Sequence, residues 1–303
     1  MRPLSVGVQL PEVEREVRWA EMRSMAVLAE AIGFDSIWVG DHLLYRPEEG
    51  EPRGPWEAWS MLAAIASVTE RVEIGPLVAA TAFHSPAMLA KKAVTVDEIS
   101  GGRLILGLGA GWNRAEFDAF GYPFDYRASR FEEAFHIIRR LIRGETVDHD
   151  GDFYRNHRAQ ILPYGPRPAG PPLLIGSQGP RVLRATAPFM DQWNGWYAWY
   201  GNSPEGLPAL LEKLDSACDD VGRDSSGIEK TVAVLATLPG GEGRVHGDVE
   251  QVGKNPLAGS PAEIADVLGR YSELGISHVQ MVLDLITEES IEWFGDVLAE
   301  LDA

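Results

Sequence analysis

Residues 6–40 read VGVQLPEVEREVRWAEMRSMAVLAEAIGFDSIWVG, with a short apolar run at each end and an amphipathic segment between them. Trp19, Met22 and Ala26 step by three and four residues, which is the spacing of one helix face, and Gly33 follows as a stop signal. Short apolar runs separated by a helix are typical of buried parallel strands. This stretch therefore predicts a strand, a helix and a second, parallel strand.

The same alternation continues along the chain. Apolar runs, each followed by a helical pattern, lie at residues 6–10, 36–40, 72–78, 104–108, 173–175, 192–197, 231–235 and 278–283. These eight units predict an α/β fold, a closed (β/α)8 TIM barrel that occupies residues 1–303 as a single domain. Residues 145–171 interrupt the alternation, and Asp150-Gly151 is typical of a hairpin turn. We therefore expect a hairpin insertion between units four and five.

The charge balance limits the partners. The chain carries 27 basic and 45 acidic residues, for a formal net charge of −18. This charge argues against nucleic acid or an anionic membrane as a partner and favours a small-molecule substrate. Any ligand phosphate would have to be held by backbone N–H groups or a few local cations. The sequence shows no signal-peptide pattern and no apolar run near the roughly 20 residues of a membrane span, so we expect a cytoplasmic protein.

In a barrel of this kind the chemistry is located at the carboxyl ends of the strands. The second strand is followed by Asp41-His42, and because imidazole titrates near neutrality, His42 is the candidate acid or base. The alternative is that Asp41 caps a helix and His42 lies on the surface. After the third strand, His84 could line a pocket, but an exposed loop histidine is the simpler expectation. Ser85 and Pro86 then begin the next helix.

Two glycine-rich loops follow the fourth and fifth strands. Residues 107–113 read GLGAGWN, and such glycines either allow a flat ring or a phosphate to approach or mark a crowded turn. They do not form a dinucleotide-binding fingerprint, because Arg114 stands where the third glycine is needed. Residues 176–180 read GSQGP, which is either a phosphate-binding loop with free backbone N–H groups or a short capped turn.

Aromatic residues are concentrated at the end of the sixth strand, where residues 193–200 read WNGWYAWY. One strand does not need this many aromatic side chains for its core. We expect Trp193 in the core and Trp196, Tyr197 and Trp199 in the wall of a pocket for a flat or apolar ligand.

Taken together, these segments resemble the bacterial luciferase-like family of flavin- and deazaflavin-dependent oxidoreductases. The resemblance covers nearly the whole chain in one register, and the ordered set is more specific than any one motif. The matching segments are residues 41–42, 75–78, 84–86, 106–112, 176–180, 191–194 and 259–263, together with the insertion at 145–171.

The resemblance implies a barrel that binds coenzyme F420, a deazaflavin, with FMN as the alternative cofactor. By similarity, Asp41 contacts the ring, His42 is the catalytic acid or base, and a non-prolyl cis peptide bond between Leu77 and Val78 supports the ring. The residues expected to bind the cofactor on this basis are Asp41, Leu77, Val78, Ala110, Gly111, Asn113, Gly176, Ser177, Gln178, Gly179 and Pro180.

Three positions depart from the family pattern. Sugar-phosphate-oxidising relatives carry a catalytic glutamate in the loop after the fourth strand, where this chain has Trp112. This difference argues against a glucose-6-phosphate activity and makes Trp112 a residue of the substrate pocket. Ala80 stands where a threonine is often found, and Ser177 replaces one of two glycines in the phosphate loop.

The resulting expectation is an oxidoreductase that transfers a hydride between F420 and a small organic substrate, while His42 moves the accompanying proton. An FMN-dependent luciferase-like monooxygenase is the first alternative, and a non-catalytic flavin-binding protein is an alternative of another class. We expect no metal, because the histidines form no HxH or HExxH motif and Cys218 is the only cysteine. The resemblance also implies that the protein can form a homodimer.

Overall fold

Eight parallel barrel strands are present in the computed structural model, which describes residues 2–46, 51–238 and 255–303. In chain order the strands are β1 (Ser5–Gln9), β2 (Ser36–Val39), β3 (Glu73–Pro76), β4 (Ala79–Ala80), β5 (Leu106–Gly109), β6 (Val147–Asp150), β7 (Arg155–Ala159), β8 (Leu173–Gly176), β9 (Gln192–Gly195), β10 (Glu229–Thr237) and β11 (His278–Asp284). All of these except β6 and β7 belong to the barrel, in which β3 and β4 are two halves of the third strand.

The sheet closes on itself. Its strands are hydrogen-bonded in the order β3-β2-β1-β11-β10-β9-β8-β5-β4. Because β3 and β4 are successive pieces of the chain, the two ends of this order meet, and a parallel bridge between Ile74 and Leu104 joins them. The predicted TIM barrel is therefore confirmed.

Helices follow the strands, as the sequence predicts. They are α1 (Trp19–Ile32), α2 (Ala58–Val68), α3 (Pro86–Ser100), α4 (Arg114–Phe120), α5 (Arg127–Ile142), α6 (Pro180–Thr186), α7 (Leu207–Asp219), α8 (Pro261–Glu273) and α9 (Glu288–Asp302). Gly33 ends α1 with φ at 105°, a left-handed conformation that favours glycine. Ser260 and Glu263 cap α8 reciprocally. None of the helices in the described ranges combines the length and apolar character needed to cross a bilayer.

The predicted insertion between units four and five is also confirmed. Strands β6 and β7 form a separate antiparallel hairpin. The far end of the insertion is held to the barrel by Arg167, whose guanidinium binds the buried carboxylate of Asp97 on α3 and the carbonyl of Leu104. The insertion thus packs on the outside of the barrel through an ion pair whose carboxylate is buried and whose guanidinium is partly exposed.

The amino-terminal part of the barrel is a filled core. Trp38 is fully buried, and a Cβ atom at Gly7 or Gly75 would lie 2.7 Å from its indole ring. Its Nε1 atom donates to Ser36 Oγ at 2.7 Å, and Ser36 Oγ lies 2.7 Å from His278 Nε2. Burial lowers the pKa of His278 to about 4, so this imidazole is neutral. A ligand must therefore bind at the carboxyl ends of the strands.

Two predicted strands end earlier than the apolar pattern suggests. The run at 192–197 leaves the sheet after Gly195 and continues as a single 3₁₀ turn, Tyr197–Trp199, because Trp199 N–H donates to the carbonyl of Trp196. The run at 72–78 leaves the sheet after Pro76, and pairing resumes at Ala79. Apolar side chains alone do not reveal where the hydrogen bonds of a strand stop.

Candidate active site

A histidine lies between two carboxylates at the carboxyl ends of the first two barrel strands. His42 follows β2, Glu12 follows β1, and Glu116 belongs to α4. The Nδ1 atom of His42 is 2.9 and 3.0 Å from the two carboxylate oxygens of Glu116, and its Nε2 atom is 3.8 Å from Glu12 Oε1. Because a carboxylate only accepts hydrogen bonds, Nδ1 carries a proton and donates to Glu116.

The two carboxylates control the charge of His42. Burial alone would lower its pKa, but the negative charge of Glu12, the hydrogen bond and charge of Glu116, and the charge of Asp41 raise the pKa to about 9. His42 is therefore an imidazolium at neutral pH. Because the Nδ1 proton of this imidazolium is hydrogen-bonded to Glu116, the proton available for a substrate is the one on Nε2.

Glu12 reaches the site because Gly40 has no side chain. A Cβ atom at Gly40 would lie 2.5 Å from the Glu12 carboxyl carbon. The carboxylate is nearly buried, and it accepts hydrogen bonds from Gln9 Nε2 at 3.0 Å and from the Tyr45 hydroxyl at 3.1 Å. These bonds hold the charge of Glu12 beside His42 without neutralising it.

Glu116 is aimed at His42 by the start of α4. Asn113 caps this helix: its side-chain oxygen accepts from Ala115 N–H, and its amide nitrogen donates to the carbonyl of Leu44 at 3.0 Å. Glu116 then lies in the first helical turn and accepts from the N–H groups of Leu43 at 2.6 Å and Leu44 at 3.2 Å. Helix α4 and the loop after β2 are therefore bound to each other.

Asp41 supports the neighbouring loop and does not cap a helix. Its Oδ2 atom accepts from Ala80 N–H at 3.0 Å and lies 2.9 Å from His84 Nε2. The His84 side chain is only 9% exposed, and the ring of Trp59 lies against it at 6.4 Å. The expectation that His84 is an exposed loop residue is therefore wrong, because Asp41 draws it into the barrel end.

Val78 occupies a space walled by glycines. The peptide bond between Leu77 and Val78 is cis, as the resemblance implies, and a second non-prolyl cis bond, Asp284–Leu285, was not expected from the sequence. A Cβ atom at Gly109 would lie 2.7 Å from the Val78 side chain, and one at Gly176 would lie 2.9 Å from it. The glycines of two loops thus leave room for a Val78 platform at the end of the barrel.

Hydrogen bonds with neighbouring side chains hold the loop at residues 176–180 in place. Trp193 donates from Nε1 to the carbonyl of Ser177 at 2.8 Å and is fully buried, so it belongs to the core as expected. Ser177 Oγ accepts from Gly179 N–H at 3.1 Å, and the Gln178 amide oxygen accepts from Lys213. Arg181, which follows the loop, binds Glu132 on α5. The side chains thus support the loop from its edges.

Aromatic rings form one wall beside His42. The centroid of its imidazole lies 4.7 Å from the centroid of the Tyr45 ring and 5.6 Å from that of the Trp112 indole. Trp112 is 51% exposed. After β9, the ring centroids of Trp196 and Tyr197 are 4.5 Å apart, and Tyr197 is buried. Ala110, Gly111, Trp196 and Trp199 are partly exposed.

The luciferase-like monooxygenase family model matches residues 4–240, more than half of the chain. The chain belongs to this family. Among its relatives is the F420-dependent glucose-6-phosphate dehydrogenase of Intrasporangium calvum, which is 31% identical over 299 residues and covers 86% of this chain and 87% of the relative. The 5,10-methylenetetrahydromethanopterin reductase of Archaeoglobus fulgidus is 28% identical over 269 residues, covering 89% of this chain and 75% of the relative.

Solved structures show the same fold. An F420-dependent secondary alcohol dehydrogenase in complex with an F420-acetone adduct has a TM-score of 0.82 at 20% identity, and 99% of each chain is covered. The coenzyme F420-dependent tetrahydromethanopterin reductase of Methanopyrus kandleri has a TM-score of 0.78 at 20% identity, covering 98% of this chain and 99% of that chain. At these identities the likeness shows the fold alone. The resemblance stated from the sequence motifs is confirmed.

The interior of this luciferase-like barrel contains buried polar atoms that a ligand could satisfy. Gln9, the last residue of β1, and Gln280 on β11 are buried. Gln280 accepts from Asn194 Nδ2 at 2.7 Å, but its own Nε2 atom and Gln9 Oε1 have no hydrogen-bond partner within the described residues. Unsatisfied buried groups are expected where a ligand or water completes the bonds. The glycine-walled platform at the carboxyl end of the barrel fits a flat ring.

Sequence reasoning missed both carboxylates of the luciferase-like site. The relatives' catalytic glutamate corresponds to Trp112 in this chain, and the carboxylate that contacts His42, Glu116, lies about one helical turn later. The N-cap residue Asn113 and the first-turn position of Glu116 were the available signal, but the contact with His42 joins residues 74 positions apart. Glu12 was missed because nothing in the local sequence shows that Gly40 makes room for it.

Proposed function

We propose that this luciferase-like protein is an F420-dependent oxidoreductase that transfers a hydride between the deazaflavin and a small organic substrate. The single observation that carries the proposal is the position of His42, a charged imidazole at the carboxyl end of β2, which pairs with β3, the strand that leads to the glycine-walled Val78 platform. Relatives named as F420-dependent enzymes support the choice of cofactor. These relatives are named as dehydrogenases, which agrees with the oxidoreductase that the sequence predicts.

The residues that would hold the cofactor are those of the platform and the two glycine-rich loops. Leu77 and Val78 would lie under the ring, and residues 110–113 would border it. In the loop at residues 176–180, the backbone N–H groups of Ser177 and Gln178 would bind the phosphate, since Gly179 N–H donates to Ser177 Oγ and Pro180 has no N–H; backbone donors suit a chain of net charge −18. Asp41 would act through the Ala80 N–H group and His84, which fix the backbone that follows the platform. A deazaflavin bound there supplies the carbon that accepts or donates the hydride.

The protein supplies the proton. If a carbonyl substrate accepted the hydride that a reduced deazaflavin would supply, His42 would donate its Nε2 proton to the carbonyl oxygen, and the product would be an alcohol. Glu12 and Glu116 then stabilise the return of His42 to its protonated form. Trp112, Trp196 and Trp199, whose side chains are at least partly exposed, would exclude water from the substrate. The raised pKa keeps His42 protonated at neutral pH, which is the form that can donate a proton to a carbonyl oxygen.

Binding and turnover test the proposal together. Purified protein should quench F420 fluorescence with saturable affinity and bind FMN far more weakly. His42→Ala should retain F420 binding and lose roughly 10²–10⁴-fold in turnover with a substrate panel of ketones and aldehydes, the contribution of a general acid. Unchanged turnover would remove His42 from the mechanism.

An FMN-dependent monooxygenase remains the second candidate, because the family model that matches residues 4–240 is that of luciferase-like monooxygenases. Tight binding of FMN without F420 binding would favour it over our proposal. Cofactor binding with no ring reduction by any substrate would instead indicate a flavin-binding protein. We further propose that the protein is cytoplasmic. We also propose that it forms a homodimer, and sedimentation velocity would test this oligomeric state.

A further inference from the structure

Glu116 is the most deeply buried charged group that touches His42. It is 1% exposed, it belongs to α4, and it accepts from His42 Nδ1 as well as from the backbone N–H groups of Leu43 and Leu44. A role confined to holding the loop would need only the two backbone bonds. The third bond goes to the imidazole, whose other nitrogen remains available for chemistry.

We propose that Glu116 is a positioning residue, which fixes the ring of His42 and keeps the proton on Nδ1, so that only Nε2 exchanges a proton with the substrate. This inference rests on the proposed function, in which His42 moves the proton. Neutral histidine has two tautomers, and the partner of one ring nitrogen determines which nitrogen carries the proton. A carboxylate at Nδ1 selects the Nδ1–H tautomer, and Nε2 is left as the atom that gives and takes the proton.

The surroundings of Nε2 agree with this assignment. The nearest carboxylate, Glu12 Oε1, is 3.8 Å from Nε2, which is longer than a hydrogen bond, and it already accepts from the Tyr45 hydroxyl. Asp41 adds a third negative charge but is itself bound to His84. The charged groups that raise the pKa of His42 therefore come from the ends of β1 and β2 and from α4, and Glu116 is hydrogen-bonded to the ring.

The first measurement needs no variant and no cofactor. In protein labelled with ¹⁵N-histidine, nitrogen chemical shifts above the titration midpoint of His42 report the neutral tautomer. We expect the Nδ1–H form. The Nε2–H form would overturn the proposal, since it would place the exchanging site at Nδ1, against Glu116.

A substitution then tests the contribution of the charge. Glu116→Gln keeps the size of the side chain and an oxygen for the Leu43 and Leu44 N–H groups, but it removes the negative charge. The titration midpoint of His42 should fall by at least about one pH unit, and kcat should fall roughly tenfold or more with KM and the Kd of F420 unchanged. Asp118→Asn is the control, because Asp118 is on the same helix in an exposed pair with Arg114.

The outcomes separate the two proposals. A folded Glu116→Gln variant with an unchanged His42 midpoint refutes the positioning role. A lowered midpoint with unchanged turnover supports the positioning role and refutes the proposed use of His42 in catalysis. If Glu116→Gln does not fold, Glu116→Asp, which retains the charge on a shorter side chain, should retain a raised midpoint and lose turnover.

Discussion

Substituting Gly109 by alanine should disturb the Val78 platform directly. The added Cβ atom would lie 2.7 Å from Val78 Cγ2, whereas carbon atoms in contact are normally about 3.5–4.0 Å apart. Val78 or the loop must therefore move by about 1 Å. Such overpacking typically costs about 1–3 kcal/mol in the free energy of unfolding. Because the platform moves, the Kd for F420 should also rise on the order of tenfold, which corresponds to about 1.4 kcal/mol.

Gly269→Ala is the matched control. Gly269 lies inside α8, and a Cβ atom there would meet nothing within 4 Å. Alanine should stabilise this helix by about 0.5–1 kcal/mol and leave F420 binding unchanged. The two glycine substitutions should therefore change the free energy of unfolding in opposite directions.

The assays are urea unfolding followed by circular dichroism and titration of F420 fluorescence. Val78→Ala removes the atom that Gly109→Ala would strike, so the alanine at 109 should cost less in that background, and the two changes should not be additive. The reasoning is refuted if Gly109→Ala is as stable as the natural protein. It is also refuted if Gly109→Ala lowers the free energy of unfolding by the same amount in the natural and the Val78→Ala backgrounds.

Other predictions concern charge, packing and the thiol. His42 has a folded pKa raised from 6.5 to about 9, so its contribution to stability is complete below pH 6.5 and lost as the pH rises through about 9. The difference in unfolding free energy between natural protein and His42→Gln should shrink over that range, and a constant difference would contradict the assignment. Arg167→Ala leaves Asp97 buried without its partner and should cost about 3 kcal/mol, whereas the exposed Arg155→Ala should cost almost nothing in the same urea titration. Cys218 is buried and burial raises the pKa of its thiol, so a thiol reagent should label it only as fast as the protein unfolds, and immediate labelling would disprove this.

Short-range patterns were sufficient for the barrel itself. The periodicity of α1 and the stop at Gly33 are both read from neighbouring residues, and each is present in the structure. The cis bond at Leu77–Val78 was also placed correctly, although by resemblance to a family and not by any local rule. The end of the strand at Gly195 was missed, since apolar side chains continue past the last hydrogen bond of the sheet.

The sequence by itself determined the strand and helix order, the insertion, and the Asp41-His42 pair at a strand end, because these depend on residues close together in the chain. Only the tertiary structure decided the charge of His42. Its two carboxylates come from the end of β1 and from α4, and Gly40 leaves the space through which Glu12 reaches the site. His84 likewise became a buried partner of Asp41 through a contact across 43 residues. Coulomb energy falls with distance in space and not with distance along the chain, so protonation at this site is a property of the closed barrel.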